Sequence, residues 1–189
     1  ARRVEEIDGR PLLFLEYVSG GDLSSWIGSP RLIRNLRRVL RLALQFCDGM
    51  AHAMAKGLVA HRDIKPGNCL ITEDGVLKIT DFGLAIVASD HQSEPPAGTV
   101  PYMPPEQFGQ STRVDVRADI YAFGIMMFEM ITGARPFKGS SNADLVWQHC
   151  TQPAPRLERA PALLADIVAK CLAKGPEDRY ESFGELRAA

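Results

Sequence analysis

The 189 residues include 22 Lys and Arg against 23 Asp and Glu, for a formal net charge of -1, and 46% of them are hydrophobic. This composition suits one soluble globular domain with a real core, and its near-neutral balance gives no long-range pull toward nucleic acid or an anionic bilayer. With no signal-peptide order at the start and no apolar run long enough to cross a bilayer, the expectation is a cytoplasmic chain without a membrane segment.

The first predicted element is a β-hairpin, Val4 to Ile7 and Leu12 to Val18 around Asp8-Gly9, a dipeptide that suits the left-handed backbone of a tight turn. Ser19-Gly20-Gly21 breaks the strand, and Asp22 is placed to cap a short helix through Ile27 that Gly28 to Pro30 ends. From Arg31 to about Lys56 the apolar residues Leu32, Leu36, Val39, Ala43, Phe46, Met50 and Met54 recur at helical spacing, and Gly57 stops the helix. A loop from His61 to Asn68 follows, then two short strands, Cys69 to Thr72 and Val76 to Thr80, joined by Glu73-Asp74-Gly75.

Residues 81 to 106 are rich in Gly, Pro and Ser and have no sustained period, and loops of that length in a compact domain are usually functional. Asp119 to Thr132 is apolar on nearly every side, as a helix buried in a core is, and Gly133 and Pro136 end it. Helices over about Ala143 to Cys150 and Pro161 to Ala173, and a start near Ser182, complete a helix-rich second half with no internal repeat. Cys47, Cys69, Cys150 and Cys171 form no C-x-x-C pair, so reduced and mostly buried thiols are expected. His52, His61, His91 and His149 give no close pair suited to a metal.

Two loops carry the chemistry. One is His61-Arg62-Asp63-Ile64-Lys65-Pro66-Gly67-Asn68, and the other, across the second predicted hairpin, is Asp81-Phe82-Gly83. Singly, Asp63 and Asp81 read as turn or capping carboxylates. Jointly, at this spacing, they resemble the protein kinase family of the eukaryotic-like, Hanks type. The resemblance implies an α+β, protein-kinase-like fold. Residues 1–18 would be the last hairpin and hinge of the small lobe, and 19–189 the helical large lobe, with the catalytic loop at 61–68 and the activation segment at 81–106.

It also implies an ATP-dependent protein serine/threonine kinase that uses Mg2+. In that reading Asp63 accepts the proton of the substrate hydroxyl, Lys65 supports the transferring phosphate, and Asn68 and Asp81 hold the metal. Lys65 two positions after Asp63, together with Gly98 to Glu106, is similar to the Ser/Thr members, with Thr99 bridging Asp63 and Lys65. Pro104-Pro105-Glu106 departs from the usual A-P-E but keeps Glu106 for a buried pair with Arg179. Asp119 is implied to hold the backbone of the His61 loop, a helix cap being the plainer alternative, and His61 has a packing role. Leu15, Glu16 and Val18 resemble the adenine hinge, with Asp22 at the ribose and Leu70 and Thr80 lining the nucleotide site. Arg62 suggests control by phosphorylation at Ser89 or Ser93. The implied partners are protein substrates with Ser/Thr acceptors and a second kinase domain for activation, and Gln107 and the compact connections look similar to bacterial members.

Nowhere in the sequence is there a G-x-G-x-x-G loop, a lysine in a V-A-I-K-like strand, or a glutamate helix to pair with it. The expectation is a kinase whose upstream residues supply these parts, so that this stretch alone binds ATP weakly, transfers little and exposes an apolar edge. The competing expectation is a non-catalytic binding or scaffold module.

Overall fold

A computed structural model describes residues 3–8, 10–82, 100–109, 115–158 and 160–189. Strands β1 (Arg3–Ile7) and β2 (Arg10–Phe14) pair antiparallel around a turn in which Asp8 takes φ +52°, a left-handed conformation that aspartate tolerates. The register sets Ile7 opposite Arg10 and Arg3 opposite Phe14. The second strand therefore ends at Phe14, short of the Val18 expected from β-propensity. Ile7, Leu12, Phe14, Leu15 and Tyr17 are all exposed, as the expected apolar edge requires.

A 3-10 turn over Leu23–Trp26 follows, capped by Asp22, whose Oδ1 accepts from the Ser25 amide at 3.1 Å. Helix α1 spans Leu36–Ala55, five residues later than the apolar period suggests. Residues 31–34 instead form turns, Arg34 sits at φ +63°, and Asn35 caps the helix by accepting from the Arg38 amide at 3.1 Å. The side-chain oxygen of an asparagine satisfies a donor that has no intrahelical partner, and this overrides a period that runs on through Leu32. Gly57, at φ +97°, takes the chain out of the helix.

Strands β3 (Cys69–Ile71) and β4 (Leu77–Ile79) form a second antiparallel pair, with Cys69 opposite Ile79. A hydrogen bond from the Ile71 amide to the Gly21 carbonyl at 2.9 Å, and a bridge between Asp22 and Leu70, fasten the segment after the first hairpin onto β3. Helix α2 (Val116–Thr132) starts a turn earlier than Asp119, because Asp115 caps it by accepting from the Arg117 amide at 2.8 Å. It is buried on nearly every side and ends at Gly133, φ +78°.

Helices α3 (Asn142–Thr151), α4 (Ala162–Cys171) and α5 (Phe183–Ala188) pack around α2 and α1, the first and last capped by Ser141 and Ser182. At Gly124 a Cβ would stand 2.8 Å from the Cβ of Cys171, so glycine is what lets α2 and α4 approach this closely. The core centres on Phe46, Phe123 and Phe183, whose rings lie 4.7 to 5.9 Å apart. Burial of such side chains contributes on the order of 1.5–3 kcal/mol each. Cys47, Cys69 and Cys171 are free thiols buried in this core, while Cys150 is exposed. Burial pushes the first two thiols up to about 12, which leaves them protonated and unreactive. Among the described residues no helix is long and apolar enough to cross a membrane.

Candidate active site

The site is organised from the core outward, beginning at Asp119. This residue is buried in the first turn of α2, and its two carboxylate oxygens accept from the backbone amides of His61 at 2.6 Å and Arg62 at 2.8 Å. Burial raises its carboxyl to about 6 against the opposing pull of those two donors. With Asp115 acting as the cap, Asp119 is left free to hold the loop.

Fixed at those two amides, Arg62 takes φ +67°, a conformation costing a non-glycine residue roughly 1–3 kcal/mol. The His61 ring packs 4.9 Å from Phe82, and its Nε2 lies 2.8 Å from the Thr80 carbonyl. A carbonyl only accepts, so Nε2 carries the proton. Nδ1 is then the acceptor for the Asp63 amide at 3.4 Å. One imidazole thereby ties the two motif loops together.

Asp63 Oδ2 accepts from Lys65 Nζ at 2.7 Å and from Asn68 Nδ2 at 2.8 Å, and the same Asn68 nitrogen reaches the Asp63 carbonyl at 2.8 Å. Among the described residues, Asp63 Oδ1 is buried with no hydrogen-bond partner. Because such an atom costs on the order of 1–3 kcal/mol, it marks a position where an incoming donor is strongly favoured.

Asn68 accepts from the Thr80 amide at 3.0 Å through its backbone carbonyl, extending the β3–β4 ladder by one step. Asp81 follows immediately, at φ +64°, so Asn68 and Asp81 stand at the same end of that hairpin. An amide oxygen and a carboxylate are hard donors, and two of them suit magnesium, which keeps waters and phosphate oxygens for its other positions. The pair therefore fits such an ion.

Arg179 is buried and uses all five of its N–H donors. Two meet the Glu106 oxygens at 2.7 and 2.8 Å, and the others reach the carbonyls of Ala173, Arg117 and Lys174 at 2.8 to 3.0 Å. Of the expected nucleotide contacts, Leu15 and Glu16 are exposed, while Val18, Asp22 and Leu70 are half-buried. Glu16 pairs with Lys78 of β4, a contact across more than sixty residues that no local motif signals. Ser89, Ser93 and Thr99 lie outside the described residues. A further pair absent from the sequence reading joins the Tyr102 hydroxyl to Glu129 Oε2 at 2.6 Å, burial and that carboxylate raising the pKa of the phenol.

The family description "Protein kinase domain" matches residues 3–186. Serine/threonine-protein kinase Pkn1 of Myxococcus xanthus is 38% identical to the chain over 95% of it and 27% of Pkn1. PknB of Mycobacterium tuberculosis is 33% identical over 94% of the chain and 29% of PknB, and a probable PknB of Bifidobacterium longum is 36% identical over 94% and 26%. The chain thus spans between a quarter and three tenths of the length of these curated relatives. With a family match that takes in both motif loops, the first hairpin and the Arg179 anchor, the chain belongs to the protein kinase family, and its α+β architecture is the protein-kinase fold.

Proposed function

We propose that the protein is an ATP-dependent protein serine/threonine kinase and that Asp63, Lys65, Asn68 and Asp81 carry the transfer. The observation that supports this most is the Oδ1 of Asp63, unpartnered among the described residues, beside an Oδ2 already taken by Lys65 and Asn68. A substrate hydroxyl entering there donates to Oδ1. As its oxygen bonds to the γ-phosphorus and the bond to the ADP oxygen breaks, the hydroxyl proton passes to Asp63. Lys65 then lies within reach of the transferred group, and its charge opposes the build-up on the phosphoryl oxygens.

Asn68 and Asp81 are the residues that would hold magnesium, which supplies charge neutralisation on the phosphates when bound. His61 and Asp119 position Asp63 and do not touch the reacting atoms. Glu16, Val18, Leu15, Asp22, Leu70 and Thr80 are assigned to the nucleotide side, Thr99 to the bridge between Asp63 and Lys65, and Arg62 to reading a phosphate on Ser89 or Ser93. Residues 1–18 then act as the end of the small lobe and 19–189 as the large lobe. The protein substrates present Ser or Thr hydroxyls, and the setting is the cytoplasm, with a second kinase domain as the activating partner.

A Gly-rich loop and a strand lysine with its glutamate are not among these 189 residues, so transfer requires residues outside them. The 189 residues alone are expected to bind magnesium and ATP weakly, and tight magnesium-dependent binding by calorimetry would contradict that. For the function itself, the full-length protein is given γ-labelled ATP with magnesium and a mixed protein substrate. Label recovered on phosphoserine or phosphothreonine is the expected result. No label, from a gene that also lacks the Gly-rich loop, leaves the scaffold reading instead.

A further inference from the structure

Away from the proposed site, residues 31–41 carry five arginines in eleven positions, at the approach to α1 and in its first two turns. Three of them, Arg31, Arg38 and Arg41, line a cleft of about 460 Å³ whose opposite wall is the β3–β4 turn. Trp26 forms part of it, with the guanidinium carbons of Arg31 and Arg38 at 5.0 and 5.8 Å from the ring centroid. Arg38 Nη1 donates to the Arg31 backbone carbonyl at 3.3 Å, which ties the Arg38 side chain to the approach to the helix. Arg41 Nη2 lies 3.4 Å from the place a Cβ on Gly75 would occupy, so it reaches the far wall.

Among the described residues none of these three guanidiniums is within ion-pair distance of a carboxylate, although Glu73 and Asp74 lie on the same cleft. Three planar forks with spare donors on one cleft suit an anion with several oxygens better than a single carboxylate. Glu73 and Asp74 narrow the choice. Their charges oppose the approach of an anionic lipid surface, but they complement a basic residue beside an isolated anion.

We propose that this cleft is a docking site for a phosphorylated serine or threonine on a peptide, with Arg31, Arg38 and Arg41 on the phosphate and Glu73 and Asp74 facing a flanking lysine or arginine. The site is separate from the Asp63 cluster and needs neither ATP nor transfer, so it stands or falls independently of the kinase reading.

The test is anisotropy of a labelled peptide with one phosphoserine flanked by lysines, titrated with the full-length protein at physiological salt and without nucleotide. Binding at least about tenfold tighter than that of the unphosphorylated peptide is expected. Arg38→Ala combined with Arg41→Ala should lower the affinity about tenfold or more, and Arg41→Lys, which keeps the charge but loses the fork, should fall between. Thermal unfolding by circular dichroism verifies that the variants fold, and Arg31→Ala, at an exposed position before the helix, gives an independent second arm. Asp74→Lys should weaken the lysine-flanked peptide and spare an alanine-flanked phosphopeptide. Equal affinity for both phosphorylation states, or full affinity in the folded double variant, overturns the proposal. So does arginine-dependent binding to phosphatidylserine vesicles in the absence of phosphopeptide binding.

Discussion

Asp63 and Asp119 belong to the same hydrogen-bond network but are satisfied in opposite ways. Both oxygens of Asp119 accept from backbone amides, whereas one oxygen of Asp63 is left without a donor among the described residues. A carboxylate that is fully paired builds a loop, and one that is half paired is available to a substrate. His149 presents a third case. It is fully buried among Phe108, Tyr121 and Phe137, and its Nδ1 lies 2.9 Å from the Tyr121 hydroxyl. Burial first, then the charges of Lys174 and Arg135, lower its pKa from 6.5 to about 4, with the Pro101 carbonyl pulling weakly the other way.

Between those two values the unfolded chain binds a proton that the folded one does not. Stability should therefore fall as pH drops from 6.5 through 4, by up to roughly 3 kcal/mol. Asp119 acts in the opposite sense over an overlapping range, its folded pKa being raised, so the informative quantity is a difference in which Asp119 is common to both proteins. Denaturant unfolding of the wild type and of His149→Gln should show curves that diverge below pH 6.5, the wild type losing more. Parallel curves would contradict the buried neutral imidazole. Nothing in the sequence around His149 signals this, because its partners come from α2 and from segments on either side of it.

At the scale of elements, caps and anchors decide boundaries that apolar periodicity leaves open. The long helix reads from the sequence as starting at Arg31 because Leu32 keeps the period, yet Arg34 and Asn35 break and cap the chain. Asp115 likewise moves the start of α2 a turn ahead of the apolar run. Both caps are residue types a reader could have weighed. The Glu106–Arg179 pair was legible only through the family resemblance, since the two positions lie 73 residues apart. Its energetics follow from burial. The Arg179 side chain is fully buried and that of Glu106 is 12% exposed, so Arg179→Ala leaves a carboxylate and three carbonyls without their donors. A loss of about 3–5 kcal/mol in urea unfolding is expected. A loss below about 1 kcal/mol would mean that the pair behaves like a surface ion pair.

For the whole molecule, the parts that were legible are those in which chemistry and chain are local. His61 to Asn68 and Asp81-Phe82 lie on loops flanking one short hairpin, and the β3–β4 register brings Asn68 and Asp81 to the same end of it. The Tyr102–Glu129 bond, the Glu16–Lys78 pair and the arginine cleft arise only when distant segments pack, and their residues taken singly look like ordinary surface polar groups. The proposed transfer joins both levels: a locally encoded aspartate, held by a distant one, would keep one oxygen open for a hydroxyl. Its most direct test is the phosphoryl-transfer rate of the full-length protein with Asp63→Asn against the wild type, with ATP affinity measured alongside. The rate should fall about 10²–10⁴-fold while ATP binding stays within a few-fold. Near-normal turnover in a correctly folded Asp63→Asn protein would contradict the account.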